Sequence, residues 1–208
     1  MPWIVLLLAL LGESRADPLA AAQERFQALT SYRATVRRIA GGSERQVLRY
    51  FYRKPGWIRM EFVRPHEGLV LIYDPGEHRV RVWPLGLDGL PRLSLDPDNP
   101  LIRGPHGLRV DETDVGTQLA NFRALQAHGK LAVLGDGEIA ARPVVGFEIG
   151  GLAETSRPDV RRYRVWLAQD SLFPLRFETF GSDGRLLERV DLTDAEIDVP
   201  FPRRFFTP

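Results

Sequence analysis

Apolar residues recur at every second position through most of this chain, and at helical spacing in two short stretches. Successive side chains leave a strand on opposite sides, so alternation marks a strand with one face toward a core and one toward water. In Trp57–Val63, Ile58, Met60 and Phe62 share one face, and Arg59 and Glu61 lie on the other. In 79–83, Val80 and Val82 oppose Arg79 and Arg81; further on, Val145, Phe147, Val165 and Phe177 hold the same alternation in their own strands. The pattern also predicts strands at 32–39, 46–53, 69–73, 131–134, 139–149, 161–168, 173–180 and 185–192. Turn residues separate them: Gly41-Gly42-Ser43, Lys54-Pro55-Gly56, Asp74-Pro75-Gly76-Glu77, Gly135-Asp136-Gly137 as a tight hairpin, and Gly181-Ser182-Asp183-Gly184. The stretch 69–73 is apolar on both faces, so alternation does not orient it.

Helical spacing joins Leu19, Ala22, Phe26 and Leu29 behind Asp17-Pro18, a capping residue followed by a proline suited to the first turn. A second helix is predicted from about Asp114 to His128, with Leu119, Phe122 and Leu125 on one side and Gly129 as its stop. Between the two strand groups, 84–105 is rich in Gly and Pro and predicts a long loop, a feature often tied to function in compact domains.

The fold class expected is therefore α+β, mainly β: a large curved antiparallel sheet whose concave apolar face is covered by two short helices. Two short helices are a modest cover for so large a face, which leaves room for an apolar ligand. The candidate ligand-binding set is Ile58, Met60, Phe62, Val80, Val82, Val145, Phe147, Val165 and Phe177, with Leu119, Phe122 and Leu125 facing it from the lid. A seven-residue strand is about 23 Å long, comparable with an extended acyl chain. Each buried methylene contributes roughly 0.8 kcal/mol, so a chain is held without any ion pair. For any single position an ordinary core residue is the plainer reading.

The amino terminus adds an address. Ile4–Leu11 is an apolar run too short to span a bilayer, and Ser14-Arg15-Ala16 offers small residues for cleavage after Ala16. Residues 1–16 are expected to be a signal peptide and 17–208 one domain, placed in the periplasm or, as second choice, secreted. The chain has no cysteine, so disulfides, thiolate metal sites, cysteine nucleophiles and a lipid-attachment cysteine are all excluded. A net charge of +1 gives no reason to expect nucleic acid as a partner. A monomer is expected.

Candidate chemistry is sparse. His66, His78, His106 and His128 sit in predicted turns or at a helix end and share no ligand spacing. Asp96, Asp98 and Asn99 resemble part of a calcium loop but lack a downstream acid, so a structural loop is the better reading. Arg161-Arg162-Tyr163-Arg164 reads as a solvated strand face. No nucleophile, phosphate-binding or dinucleotide motif is present, and no acid–base pair converges as a hydrolase of envelope polymers needs. The expectation is a protein that is not an enzyme and that uses no cofactor and no metal.

Tyr32-Arg33-Ala34, the run Tyr52–Phe62 (YRKPGWIRMEF) and Leu172–Phe180 followed by Asp183-Gly184 resemble the LolA-like lipoprotein-carrier superfamily. Gly68–Gly76 and Leu95–Leu101 are closer to a branch known only as a domain of unknown function. The resemblance implies an unclosed β-barrel whose concave face is plugged by helices and receives acyl chains. It implies a lipid or an acylated protein as partner, with a membrane-bound donor and acceptor. Met60 and Ile58 match cavity positions of the carrier. In the carrier an arginine before the proline of the second turn latches the lid; here that position is Lys54, which lacks the planar fork. The alternative function on the same fold is an envelope sensory or interaction module that binds a lipidated or misfolded protein.

Overall fold

The computed structural model describes residues 17–151 and 160–208; the proposed signal peptide lies outside the described residues. Helix α1 (Pro18–Ala28) begins at Asp17, whose carboxylate accepts from the Leu19 amide at 3.0 Å. Strands β1 (Ser31–Ala40), β2 (Ser43–Arg53), β3 (Trp57–Arg64), β4 (Val70–Asp74) and β5 (Arg79–Trp83) follow with short turns. A short strand β6 (Leu93–Leu95) and three single 3-10 turns occupy 93–112. Helix α2 (Val115–Ala127) comes next, capped by Asp114 through the Thr117 amide at 3.1 Å. Then come β7 (Gly129–Ile139), β8 (Arg142–Gly151), β9 (Val160–Ala168), β10 (Pro174–Gly181), β11 (Leu186–Asp191) and β12 (Glu196–Ile197).

All twelve strands form one sheet in the order β6-β5-β4-β3-β2-β1-β11-β10-β9-β8-β7, with β12 also pairing β1. Every pairing is antiparallel. The outer strands β6 and β7 do not pair with each other, so the barrel stays unclosed. The two helices pack against each other on the concave side, as α1·α2 and α2·β8 contacts show. Gly116 permits that approach: a Cβ there would lie 2.3 Å from the Phe26 ring.

Three local features differ from the sequence reading. Gly135-Asp136-Gly137 is not a hairpin but lies inside β7. The register shifts between Val133 and Gly135, and Gly135 takes φ +100°, so glycine serves a bulge there. The actual β7–β8 turn is Ala140–Ala141, both at positive φ. The loop 84–105 carries β6 and, with the segment up to 114, acts as a third covering element, since Ile102 and Val110 are buried in the main core. The doubly apolar stretch at β4 is explained by a second cluster on the convex face. There Val70, Ile72 and Trp83 meet Phe206, flanked by Phe51, Trp57, Phe201 and Phe205.

Candidate functional site on the concave face

Alternation places one row of inward side chains per register position. Leu95, Val80, Tyr73, Ile58, Tyr52 and Tyr32 are consecutive partners across β6, β5, β4, β3, β2 and β1. The next row is Leu93, Val82, Leu71, Met60, Tyr50 and Ala34, and Phe62 then opposes Leu48. In the other half of the sheet, Phe177, Val165 and Phe147 are partners across β10, β9 and β8, and Val145 opposes Leu167. All nine predicted sheet residues thus belong to one apolar layer, which is the main core. Ile58, Met60, Val80, Val82, Phe147 and Val165 are buried, while Phe62, Val145 and Phe177 are half-buried.

The lid residues Leu119, Phe122 and Leu125 are buried against this layer. The Phe122 ring lies 5.0 Å from Tyr163 and 5.9 Å from Phe177. Helix α2 therefore lies over β7–β10, and the segment before it reaches β2 through Thr113 and Tyr50.

Sequence reasoning did not single out the tyrosines, although Leu48, Tyr50 and Tyr52 alternate as clearly as any other strand. The Tyr32 ring stacks on Tyr50 at 5.8 Å and on Tyr52 at 5.1 Å, with Phe173 edge-on to Tyr32 at 5.1 Å. The hydroxyls of Tyr32 and Tyr50 reach the start of α2. The Val115 amide donates to Tyr32 Oη at 3.1 Å, and Tyr50 Oη hydrogen-bonds Thr113 Oγ1 at 3.0 Å. A buried hydroxyl needs such a partner. Burial holds the Tyr32 and Tyr50 phenols well above their ordinary range, and pushes Tyr52 up to about 12. The neighbouring Asp114 carboxylate acts in the same direction on all three.

Lys54 ties down the other helix. Its Nζ donates to the carbonyl of Gln27, and its amide donates to Thr30 O at 2.9 Å. A cation at the last turn of a helix complements the unpaired carbonyls there. Arg123 of α2 donates to Gln23 of α1 at 2.6 Å, so the two helices are also joined to each other.

A hollow of 210 Å³ opens beside this lid. Ala22, Phe26 and Leu29 of α1, Val115 and Leu119 of α2, and Leu172, Phe173 and Pro174 of the β9–β10 connection give it apolar walls. Arg25, Asp170 and Asp198 also line it and are exposed. Of the residues predicted from sequence, Leu119 alone reaches it.

Several other polar groups singled out from the sequence have structural partners. Asp96 accepts from Arg79 at 2.6 Å, and Asn99 caps the turn at Leu101 at 3.0 Å. Arg164 pairs with Glu148 at 2.7 Å, and Arg162 and Arg164 both cover the Phe180 ring. Among the described residues no group of His, Asp and Glu is placed to hold a metal ion. No described helix is long and apolar enough to cross a membrane.

Residues 112–208, less than half of the chain, match the MucB/RseB N-terminal domain family. No curated protein matches the sequence. Among solved structures, the chain is similar to an uncharacterized conserved protein from Thermus thermophilus, with 12% identity, 92% of this chain and 94% of that one covered, and a TM-score of 0.58. It is similar to MucB, with 16% identity, 95% of this chain covered and a TM-score of 0.60. It spans 64% of MucB, a protein also solved in complex with MucA(peri) and, from Pseudomonas aeruginosa, as a MucA/MucB complex. The lipoprotein LppX of Mycobacterium tuberculosis is similar at 13% identity over 89% of this chain and 95% of its own, with a TM-score of 0.54. At these identities the likeness is one of fold alone: an unclosed sheet lined by helices.

Proposed function

We propose that this chain is an exported, non-enzymatic protein of the bacterial envelope that holds the acyl chain of a lipid or an acylated protein between its sheet and its helices. The observation that carries this is the way the concave face is covered. Two helices and a 3-10 segment lie on an open sheet that β6 and β7 never close. The polar attachments of this cover to the sheet include Tyr32, Tyr50 and Lys54, at the ends of the helices. A cover attached this way parts from the sheet without unpairing a strand. The apolar layer of Ile58, Met60, Phe62, Val80, Val82, Val145, Phe147, Val165 and Phe177 would then receive the chain. Transfer between a membrane-bound donor and acceptor needs no covalent step.

The test is lipid mass spectrometry on protein isolated from its native envelope. Bound lipid or acylated protein is expected, and Phe62→Ser, at a half-buried position, should reduce it while the fold persists. Native protein that is folded, carries no lipid and takes none from labelled vesicles would refute the reading. A second reading is an interaction module for a protein partner. It is favoured by the extent of the MucB likeness, because MucB is solved with MucA(peri). Capture of a stoichiometric protein partner by lipid-free protein would favour it over the carrier.

A further inference from the structure

We propose that the hollow between α1, α2 and the β9–β10 connection seats one acyl chain bearing an anionic headgroup, with Arg25 as the headgroup's partner. This rests on the acyl-binding reading above and narrows its ligand to single-chain anionic amphiphiles.

Size comes first. The hollow measures 210 Å³. An apolar cavity of about 150 Å³ admits benzene, so this one admits roughly eight carbons of one chain and not two chains side by side. It stays open on one side because of small residues: Ala22 and Ala28 stand on α1 where longer side chains would fill the space. Phe26, Leu29, Leu119 and Phe173 among its walls offer carbon to a methylene chain, and the polar lining is confined to Arg25, Asp170, Ser171 and Asp198.

Charge at the mouth then selects the headgroup. Each carboxylate on the rim already has a cation of the protein beside it, Arg142 for Asp170 and Lys54 for Asp198, and each is hydrogen-bonded as well. Asp198 accepts from the Thr30 amide at 2.7 Å and from its hydroxyl at 2.9 Å. Asp170 accepts from Ser171 Oγ at 2.9 Å and lies 3.4 Å from Arg142. Arg25 is different: it is exposed, and among the described residues its guanidinium has no ion-pair partner. It stands one turn before Leu29 and one turn after Ala22, so the cation and the apolar wall share a helix face. A guanidinium presents a planar fork of donors that fits a carboxylate or a phosphate.

The experiment compares decanoate, decanol and decylamine, which share one tail, by isothermal titration against the full mature chain. Decanoate is expected to bind about tenfold more tightly than decanol, the size of one charge-assisted contact. Arg25→Gln should bring decanoate down to decanol and leave decanol unchanged. Ala28→Trp, at an exposed position on the rim, should weaken all three with no change in melting temperature. Equal affinity for the three headgroups, or no response to either variant, overturns this inference even where native lipid is found. Absence of binding by all three probes, together with lipid-free native protein, overturns the acyl-binding reading itself.

Discussion

The sheet is covered on both faces, and the two covers are built differently. On the convex side, 201–206 lies across β2–β5 as a short aromatic strap. Phe201 stacks on Phe205 at 4.9 Å, Phe206 stands edge-on to both, and Arg53 caps the Phe206 ring at 4.8 Å. A buried arginine locks the strap: Arg59 donates to the Phe205 carbonyl at 2.6 Å and to Glu61 at 2.8 Å, with its guanidinium 4.3 Å above the Phe205 ring. On the concave side the cover is two helices and a 3-10 segment, tied at their ends and bordered by a hollow. Both covers bury apolar side chains, but the polar ties of the outer one centre on a charge held within the sheet, whereas those of the inner one include neutral hydroxyls and one lysine.

The largest effect expected is on the outer strap. Phe206 is fully buried, and Phe206→Ala should cost about 3–5 kcal/mol of unfolding free energy, the usual range for an emptied aromatic site. Leu119→Ala, on the hollow's wall, should cost about 2–5 kcal/mol by the same mechanism. Ligand separates the two. An amphiphile that fills the enlarged hollow should raise the midpoint of Leu119→Ala in urea more than that of the parent protein, and should leave the deficit of Phe206→Ala as it is. Equal recovery in both variants would abolish the distinction between the covers.

Arg59→Met comes next. It removes the strap's donor and leaves Glu61 with the more distant Arg49 at 3.7 Å. Breaking a buried pair from one side costs about 3 kcal/mol or more, and Arg59→Lys should restore little, because an ammonium cannot serve the carbonyl and the carboxylate in one plane. Urea titrations of the two variants measure this. A full rescue by lysine would mean that charge alone holds the strap.

These contrasts bear on what the sequence discloses. The alternation of Ile58, Met60 and Phe62 against Arg59 and Glu61 is local information, and it located β3, its faces and the concave layer. The same holds for Val80 and Val82, and for Val165 and Phe177, each within its own strand. The cap at Asp17 was equally legible, because a cap acts within one turn, and the pattern starts the second helix at Asp114 without marking that residue as a cap. Three things were not. Gly135 reads as a turn residue because a bulge and a turn make the same demand on φ, and only the partner strand tells them apart. The double-sided apolar run at 70–73 meets residues more than a hundred positions later, a pairing with no local signature. The hollow escaped because it is bounded by small residues of α1 and by a strand connection, where what matters is the volume left empty.

A smaller effect comes from pH and tests the inner cover alone. Tyr32, Tyr50 and Tyr52 are held above their ordinary phenol range by burial, Tyr52 at about 12. The unfolded chain ionises its tyrosines near 10, so it loses protons first. The stability these groups contribute is fully present below about pH 10 and falls as pH rises toward 12. Absorbance at 295 nm should show these three titrating only with the loss of structure. Early, gradual ionisation of all five tyrosines with the fold intact would show that the cover already admits water.

The smallest effect separates the two ends of the lid. Lys54→Met removes the bond to Gln27 O and should cost about 0.5 kcal/mol, as a cation at a helix C-terminus does. Its consequence should stay local: faster hydrogen exchange in the last turn of α1, with α2 unchanged. Tyr50→Phe removes the bond to Thr113 and should cost about 1 kcal/mol, with faster exchange at the start of α2 instead. If the two patterns stay separate, Lys54 anchors one helix and the tyrosines anchor the other. If Lys54→Met loosens α2 as well, the helices open as one body, joined through Arg123 and Gln23, and the hollow beside α1 is where that opening begins.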